Sequence, residues 1–206
     1  MVSARPAPAG RQARRVPDRQ RAIADRNVAA ILDAAEALFQ DRAQVSISAV
    51  AKLAGVSRVT VYAHFPTWEA LLEAAVERAV RQTMSALAAV GPDAGPADQA
   101  LDRLLAAAWR HLASYGAMAQ AVAEHLSPEA VARTHHPAQS MLGGLLARGR
   151  EDGSFCTDLP AEWLVTACVA LIHVCMSEVR AGRIADRDAP AILTHSIRGL
   201  FGARQP

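Results

Sequence analysis

Ala54-Gly-Val-Ser-Arg-Val-Thr-Val-Tyr-Ala-His-Phe65 decides how this chain is to be read. A glycine and a serine open the stretch, and a run too polar and too β-branched for an ordinary buried helix follows. Upstream, Ser46 is placed to cap a short helix over 46–53, and Ala54-Gly55-Val56 breaks it. Ser57 caps a second helix that reaches about His64, and Pro66 ends it. Two short helices crossing steeply need a small residue at their closest approach, which Ala51 supplies. The turn needs a positive φ, which Gly55 adopts without steric cost. Val56 and Val61 are then expected to pack back on Val50 and Ala51. The spacing is that of a helix-turn-helix whose second helix enters the major groove of DNA.

The side chains left outside fit that use. With Val61 and Phe65 facing inward, the second helix presents Arg58, Val59, Thr60, Tyr62 and His64. Arginine pairs bidentately with guanine O6 and N7, and Val59 and the Thr60 methyl suit a thymine methyl. Ser57, Tyr62 and His64 carry donors for phosphate oxygens, which fix register rather than sequence. The helix starts at Ser46 and Ser57 aim amides at the same backbone. A plain helical hairpin with a solvated polar face is the bland alternative from spacing alone.

Outward from this unit the chain reads as helix throughout. Asp25 can cap a first helix with Val28, Ile31, Leu32, Ala35, Leu38 and Phe39 at helical spacing. Residues 1–24 show no apolar period and read as a flexible basic arm, with seven arginines against two aspartates in 1–27. Thr67 caps a fourth helix bearing Ala70, Leu71, Ala74, Ala75 and Val76. After the break at 90–96, helical periods recur at 100–114, 118–125, 128–134, 138–150, 160–181 and 189–201. No strand and no repeat is evident. Half the 206 residues are apolar, so the chain can bury a core, and abundant alanine favours helix. Three widely spaced cysteines, without a signal peptide, point to reduced thiols and a cytoplasmic protein. The apolar run 163–176 reads as too short and too polar to span a bilayer, so no membrane partner is expected.

Ile31-Leu-Asp-Ala-Ala-Glu-Ala-Leu-Phe39, Ser46-Ile-Ser-Ala-Val-Ala-Lys-Leu-Ala-Gly-Val-Ser57, Val59-Thr-Val-Tyr-Ala-His-Phe65 and Glu69-Ala-Leu-Leu72 closely resemble the N-terminal domain of the tetracycline-repressor (TetR) family. The resemblance covers about fifty contiguous residues, with every landmark in order. It implies an all-α homodimer, with a DNA-binding domain here at 25–70. A helical ligand-binding and dimerisation domain would follow at 71–206. A small-molecule effector would release double-stranded operator DNA, most simply from a repressor. Two positions depart from the family pattern. Ala43 stands where glycine is usual, and Trp68 stands where many members have a phosphate-contacting lysine. Thr67 and the Trp68 indole could still donate neutral bonds there, and the arginine arm could compensate by reaching a minor groove.

The resemblance implies dimerisation through 138–146 and 163–179, where Gly143-Gly144 would allow close helix approach; a local kink is the alternative. An effector pocket is expected to draw on Trp109, Leu112, Tyr115, Met118, Val122, His125, Met141, Cys168, Ile172, His173 and Met176, each of which could equally be core. Low charge in these segments favours an apolar or neutral effector, and no cofactor is expected. The competing reading is a metal sensor or small helical enzyme using His111, His125, His135, His136, His173 and the cysteines. Against it, no zinc, phosphate-loop or nucleophile-elbow motif is present. His135 and His136, just before Pro137, are expected on a solvated loop, pointing apart.

Overall fold

The computed structural model describes residues 15–40, 45–112 and 115–202. Among them are nine helices and no strand: α1 (Arg15–Gln40), α2 (Ile47–Ala54), α3 (Arg58–His64), α4 (Trp68–Ala89), α5 (Ala97–Leu112), α6 (Gly116–His125), α7 (Pro128–Glu151), α8 (Ala161–Arg180) and α9 (Ala189–Phe201). The serine and threonine caps form as the sequence predicts. Ser46 accepts the amide of Ala49 at 3.2 Å, Ser57 that of Thr60 at 3.0 Å, and Thr67 that of Ala70 at 3.1 Å. Gly55 ends α2 at φ +68°, and the Val56 amide closes the turn on the Ala51 carbonyl at 3.0 Å.

The apolar side chains gather into two cores. The first joins α1 to α4 around Ile31, Ala35, Val50, Val61 and Leu72, and takes in Met118 and Val122 from α6. The second joins α5, α7, α8 and α9 around Leu101, Leu146, Leu164, Ile197 and Phe201. Helix α4 serves both, burying Leu71, Leu72, Ala75, Val76 and Ala79 in the first and Leu87 in the second. The expected division at residue 70 therefore falls near the start of a helix shared by the two.

Three expectations are corrected. The first helix starts at Arg15, ten residues before the proposed Asp25 cap, so only 1–14 of the expected arm lies outside the described residues. Residues 19–23 of the added stretch are all exposed, so no apolar period marks them, and arginine, glutamine and alanine are residues that sustain helix on propensity. The segments 128–134 and 138–150 are one helix, α7, with Pro137 inside it. An internal proline costs about 3 kcal/mol or more; α7 nevertheless continues through it, packing on α4, α5 and α8 with Ala130 buried before the proline and Leu142, Leu145 and Leu146 after it. Finally, α8 extends the apolar run at both ends and is, by length and composition alone, long enough to cross a membrane. One of its faces, through Leu164, Val165, Cys168, Cys175 and Met176, is buried in the second core. Ala43 lies outside the described residues.

Candidate nucleic-acid interface and apolar cavity

The reading unit is held from beneath. Val61 is fully buried against Val50 and Ala51, and Phe65 joins them, while Val56 is half-buried in the same core. The opposite face of α3 is left to solvent. Val59 is 78% exposed and Tyr62 44%, and Arg58 is exposed at the first helical position. Leaving a valine so exposed forgoes the free energy that its burial would give. Thr60 and His64 are half-buried. The Ser57 and Thr60 hydroxyls bond each other at 2.8 Å. Ser46, Ser57 and Thr67 thus form the helix starts beside this face, their own oxygens already engaged as caps. Trp68 is half-buried between Phe39 and His125, at ring-centroid distances of 6.2 and 6.3 Å. Its ring joins α1, α4 and α6 where the family pattern would place a lysine.

Above the first core lies a cavity of about 370 Å³. Eight of the eleven residues expected in a pocket line it: Leu112, Tyr115, Met118 and Val122 near α6, Met141 on α7, and Ile172, His173 and Met176 on α8. Three do not. Trp109 and Cys168 are buried in the second core, each one position from a lining residue and so turned roughly 100° away on its helix. His125 is exposed and spends its ring on Trp68. The largest wall of the cavity comes from α4 and α5. Val76, Ala79, Val80, Thr83, Met84 and Leu87 of α4 face the cavity, as do Leu104, Leu105 and Ala108 of α5. Their helical period was visible, but the same period fits core packing, so nothing in the sequence separated wall from core.

His135 is the other correction. It lies on α7, lines the cavity, and meets His173 of α8 with 2.7 Å between their Nε2 atoms. Because α7 runs through Pro137, His135 faces inward while His136 is exposed.

Helix α4 also carries a polar clamp to α1. Arg78 bonds Asp33, lies 3.2 Å from Glu36 Oε1, and donates to the Ala29 carbonyl at 3.3 Å. Burial raises the Glu36 carboxyl above its ordinary pKa, against the pull of Arg78. Tyr115, on the cavity edge, donates to Gln82 of α4 at 2.9 Å. One helix therefore touches the cavity, the clamp and the base of the reading unit.

The thiols are scattered. Cys168 is fully buried, and burial pushes its pKa up to about 12. Cys175 is buried as well, and Cys156 is half-buried. No group of three His, Cys, Asp or Glu side chains among the described residues is placed to hold a metal. Iodoacetamide at about pH 8 is expected to label Cys156 in the native protein and to leave Cys168 unmodified, because the thiolate is the nucleophile. Peptide mass spectrometry checks this; equal labelling would contradict the burial of Cys168.

The profile of bacterial regulatory proteins of the tetR family matches residues 31–75. The HTH-type transcriptional regulator EthR of Mycobacterium tuberculosis is 44% identical over 71 residues, 34% of this chain. That alignment spans only 32% of EthR. Solved structures extend the likeness over the fold. The transcriptional regulator FadR of Bacillus subtilis, in complex with stearoyl-CoA, superposes with a TM-score of 0.72 at 18% identity, covering 85% of this chain and 98% of its own. The TetR-like regulator LfrR of Mycobacterium smegmatis, in complex with proflavine, gives 0.65 at 22%, covering 88% and 98%. Residues 31–75 match the profile of the tetR family of bacterial regulatory proteins, and 85–88% of the chain shares the fold of these two solved regulators.

Proposed function

We propose that the protein is a cytoplasmic, homodimeric transcriptional regulator, most simply a repressor, that binds double-stranded operator DNA through α3 and releases it when a small molecule fills the cavity. The observation that carries this reading is α4, one rigid helix that walls the cavity, holds α1 through Arg78, and starts beside α3 at Thr67. An occupant that moves α4 against α1 would reposition the reading head, which is the differential contact a coupled site requires. That FadR and LfrR were solved with stearoyl-CoA and proflavine supports an organic effector over a metal or an enzymatic substrate.

Fluorescence anisotropy with the duplex lying immediately upstream of the protein's own gene tests the reading. Against a scrambled duplex of equal composition, the preference is expected to be on the order of a thousandfold at physiological salt. Equal, weak binding to that duplex and to every duplex of a genome-wide selection would overturn it.

For the dimer we favour the exposed faces of α7 and α8. Gly144 is exposed and Gly143 half-buried, and a Cβ added at either would meet nothing within 4 Å. Trp163 and Val174 are 59% and 56% exposed on α8. In a lone chain, Gly143→Ala with Gly144→Ala should stabilise α7 by roughly 0.5–1 kcal/mol each. If a second α7 packs against the glycines, the added methyls instead weaken the dimer. Sedimentation equilibrium is expected to show a raised dimer dissociation constant, and an unchanged constant would place the interface elsewhere.

A further inference from the structure

The polar chemistry of the cavity is concentrated in one pair of rings. His135 Nδ1 lies 2.8 Å from the Val131 carbonyl oxygen, one turn back on α7. A carbonyl only accepts, so this nitrogen carries a hydrogen, and a neutral His135 presents a bare lone pair at Nε2. The facing Nε2 of His173 is 2.7 Å away, with the rings at 70°, so it must be the donor. The tautomers follow from the bonding. They leave Nδ1 of His173 as the one basic position the pair still has.

The pair can therefore accept one proton and keep its contact. A second proton would set N–H against N–H across 2.7 Å and break it. Burial of its ring against the cavity wall, and after it the neighbouring His135, hold the pKa of His173 below its ordinary value, so His173 favours its neutral form in the empty site. Among the described residues no carboxylate lines the cavity, and Tyr115 is the only other titratable side chain there. Of the nearby charges, Arg133 is paired with Glu73 and Glu178 with Arg183, and His136 is exposed. An anion arriving beside His173 would meet no competing negative charge within the cavity.

The rest of the lining fixes the body of the ligand. Met84, Met118, Met141 and Met176 contribute flexible thioethers, which adapt to an unbranched chain better than rigid aromatics do. About 370 Å³ lies toward the small end of ligand pockets, which disfavours a long chain or a large ring system. His173 lines the cavity and is also exposed to solvent, so the pair sits where the apolar space meets water.

Resting on the proposed effector role of this cavity, we propose that it takes a medium-chain aliphatic carboxylic acid. The tail lies among the methionines, and the carboxylate lies against the His135–His173 pair. The pair becomes singly protonated as the anion enters, so each molecule bound takes one proton from solution. This replaces the neutral effector expected from low charge alone. The direction with pH follows from the sign of the shift. The complex holds the proton to a higher pH than the empty site does. Affinity therefore rises as pH falls between those two pKa values, by about tenfold per unit for one proton, and levels off below them.

Calorimetric titration of the full-length protein with decanoate and with 1-decanol, each in phosphate and in Tris, tests this. Decanoate binding is expected to take up close to one proton per site, and 1-decanol binding none. His173→Gln, which keeps a donor but cannot titrate, should abolish the uptake and weaken decanoate about tenfold or more, a markedly larger loss than for 1-decanol. Decanoate and 1-decanol binding alike, without buffer dependence, would overturn the acid site, as would zinc raising the melting temperature where decanoate does not. Parallel anisotropy separates this failure from that of the effector reading. Proton uptake on decanoate binding with no loss of DNA affinity would leave the acid site standing and remove the effector role. DNA release by other apolar compounds, with decanoate excluded, would do the reverse.

Discussion

Gly149→Ala is expected to lower the melting temperature by about 2–8 °C, while Gly199→Ala, on the helix packed across the same core, leaves it unchanged or slightly raised. The two glycines differ only in what surrounds them. At Gly149, inside α7, an added Cβ would lie 2.0 Å from Cδ2 of Phe155 and 2.7 Å from its Cγ. That ring has nowhere to go. It is 4% exposed and stands edge-on to Phe201, which is fully buried, with centroids 5.3 Å apart. Its backbone is tied too, since the Phe155 amide donates to the Gly149 carbonyl at 2.9 Å and the next amide, of Cys156, to Phe201 at 2.8 Å. Overpacking of this kind costs about 1–3 kcal/mol, occasionally more. The better helix propensity of alanine returns at most about 1 kcal/mol. At roughly 2–4 °C per kcal/mol for a chain of this size, a net loss of about 1–2 kcal/mol gives the stated drop. At Gly199 the added methyl meets nothing within 4 Å, so only the propensity gain remains. Differential scanning calorimetry of both variants decides it; equal transitions would mean that the turn after α7 is not packed as described.

Gly149 was not singled out in the sequence, and the reason applies to most of what the sequence left unread. Its importance comes from a ring six residues later, folded back by a turn whose path no local pattern specifies. The head was legible because its contacts are local. Ser46, Ala51, Gly55, Ser57 and Val61 satisfy one another within sixteen residues, and each has a distinct steric or hydrogen-bonding duty. The cavity was legible only as a set of apolar helices. Tyr115, Met118 and Met176 could be proposed, but Trp109 and Cys168 could not be told from them, because periodicity fixes a face to no better than a neighbouring position. Pro137 is the most misleading residue in the sequence. A proline ordinarily ends a helix, which places His135 on a loop and hides its contact with His173, a contact that depends on packing between α7 and α8 rather than on either helix alone.

Arg58→Ala is expected to weaken operator binding by about 1–3 kcal/mol, roughly 5- to 150-fold, and to relax preference at one base pair, while Tyr62→Phe weakens all duplexes alike. The difference rests on what each side chain can read. Arg58 begins α3, next to the Ser57 cap and clear of the buried Val61 side, where a guanidinium can reach a base edge in the groove. The Tyr62 hydroxyl, on the same exposed face, is suited to a phosphate, which is identical at every step of the duplex. Val59, the most exposed large apolar residue on this helix, should behave as a weaker version of Arg58, its truncation relaxing a thymine preference without altering the salt slope. Ser46, Ser57 and Thr67 are poor probes by comparison. Each caps a helix, and replacing a cap costs about 1 kcal/mol of folding stability, which would be mistaken for lost DNA contact. Anisotropy titrations of Arg58→Ala, Tyr62→Phe and the parent against the operator and its single-base variants make the test. If Arg58→Ala binds every variant as tightly as the parent does, base readout lies elsewhere on α3. If Tyr62→Phe changes the ranking of the variants, the tyrosine reads sequence after all, and the division into positioning and specifying residues must be redrawn.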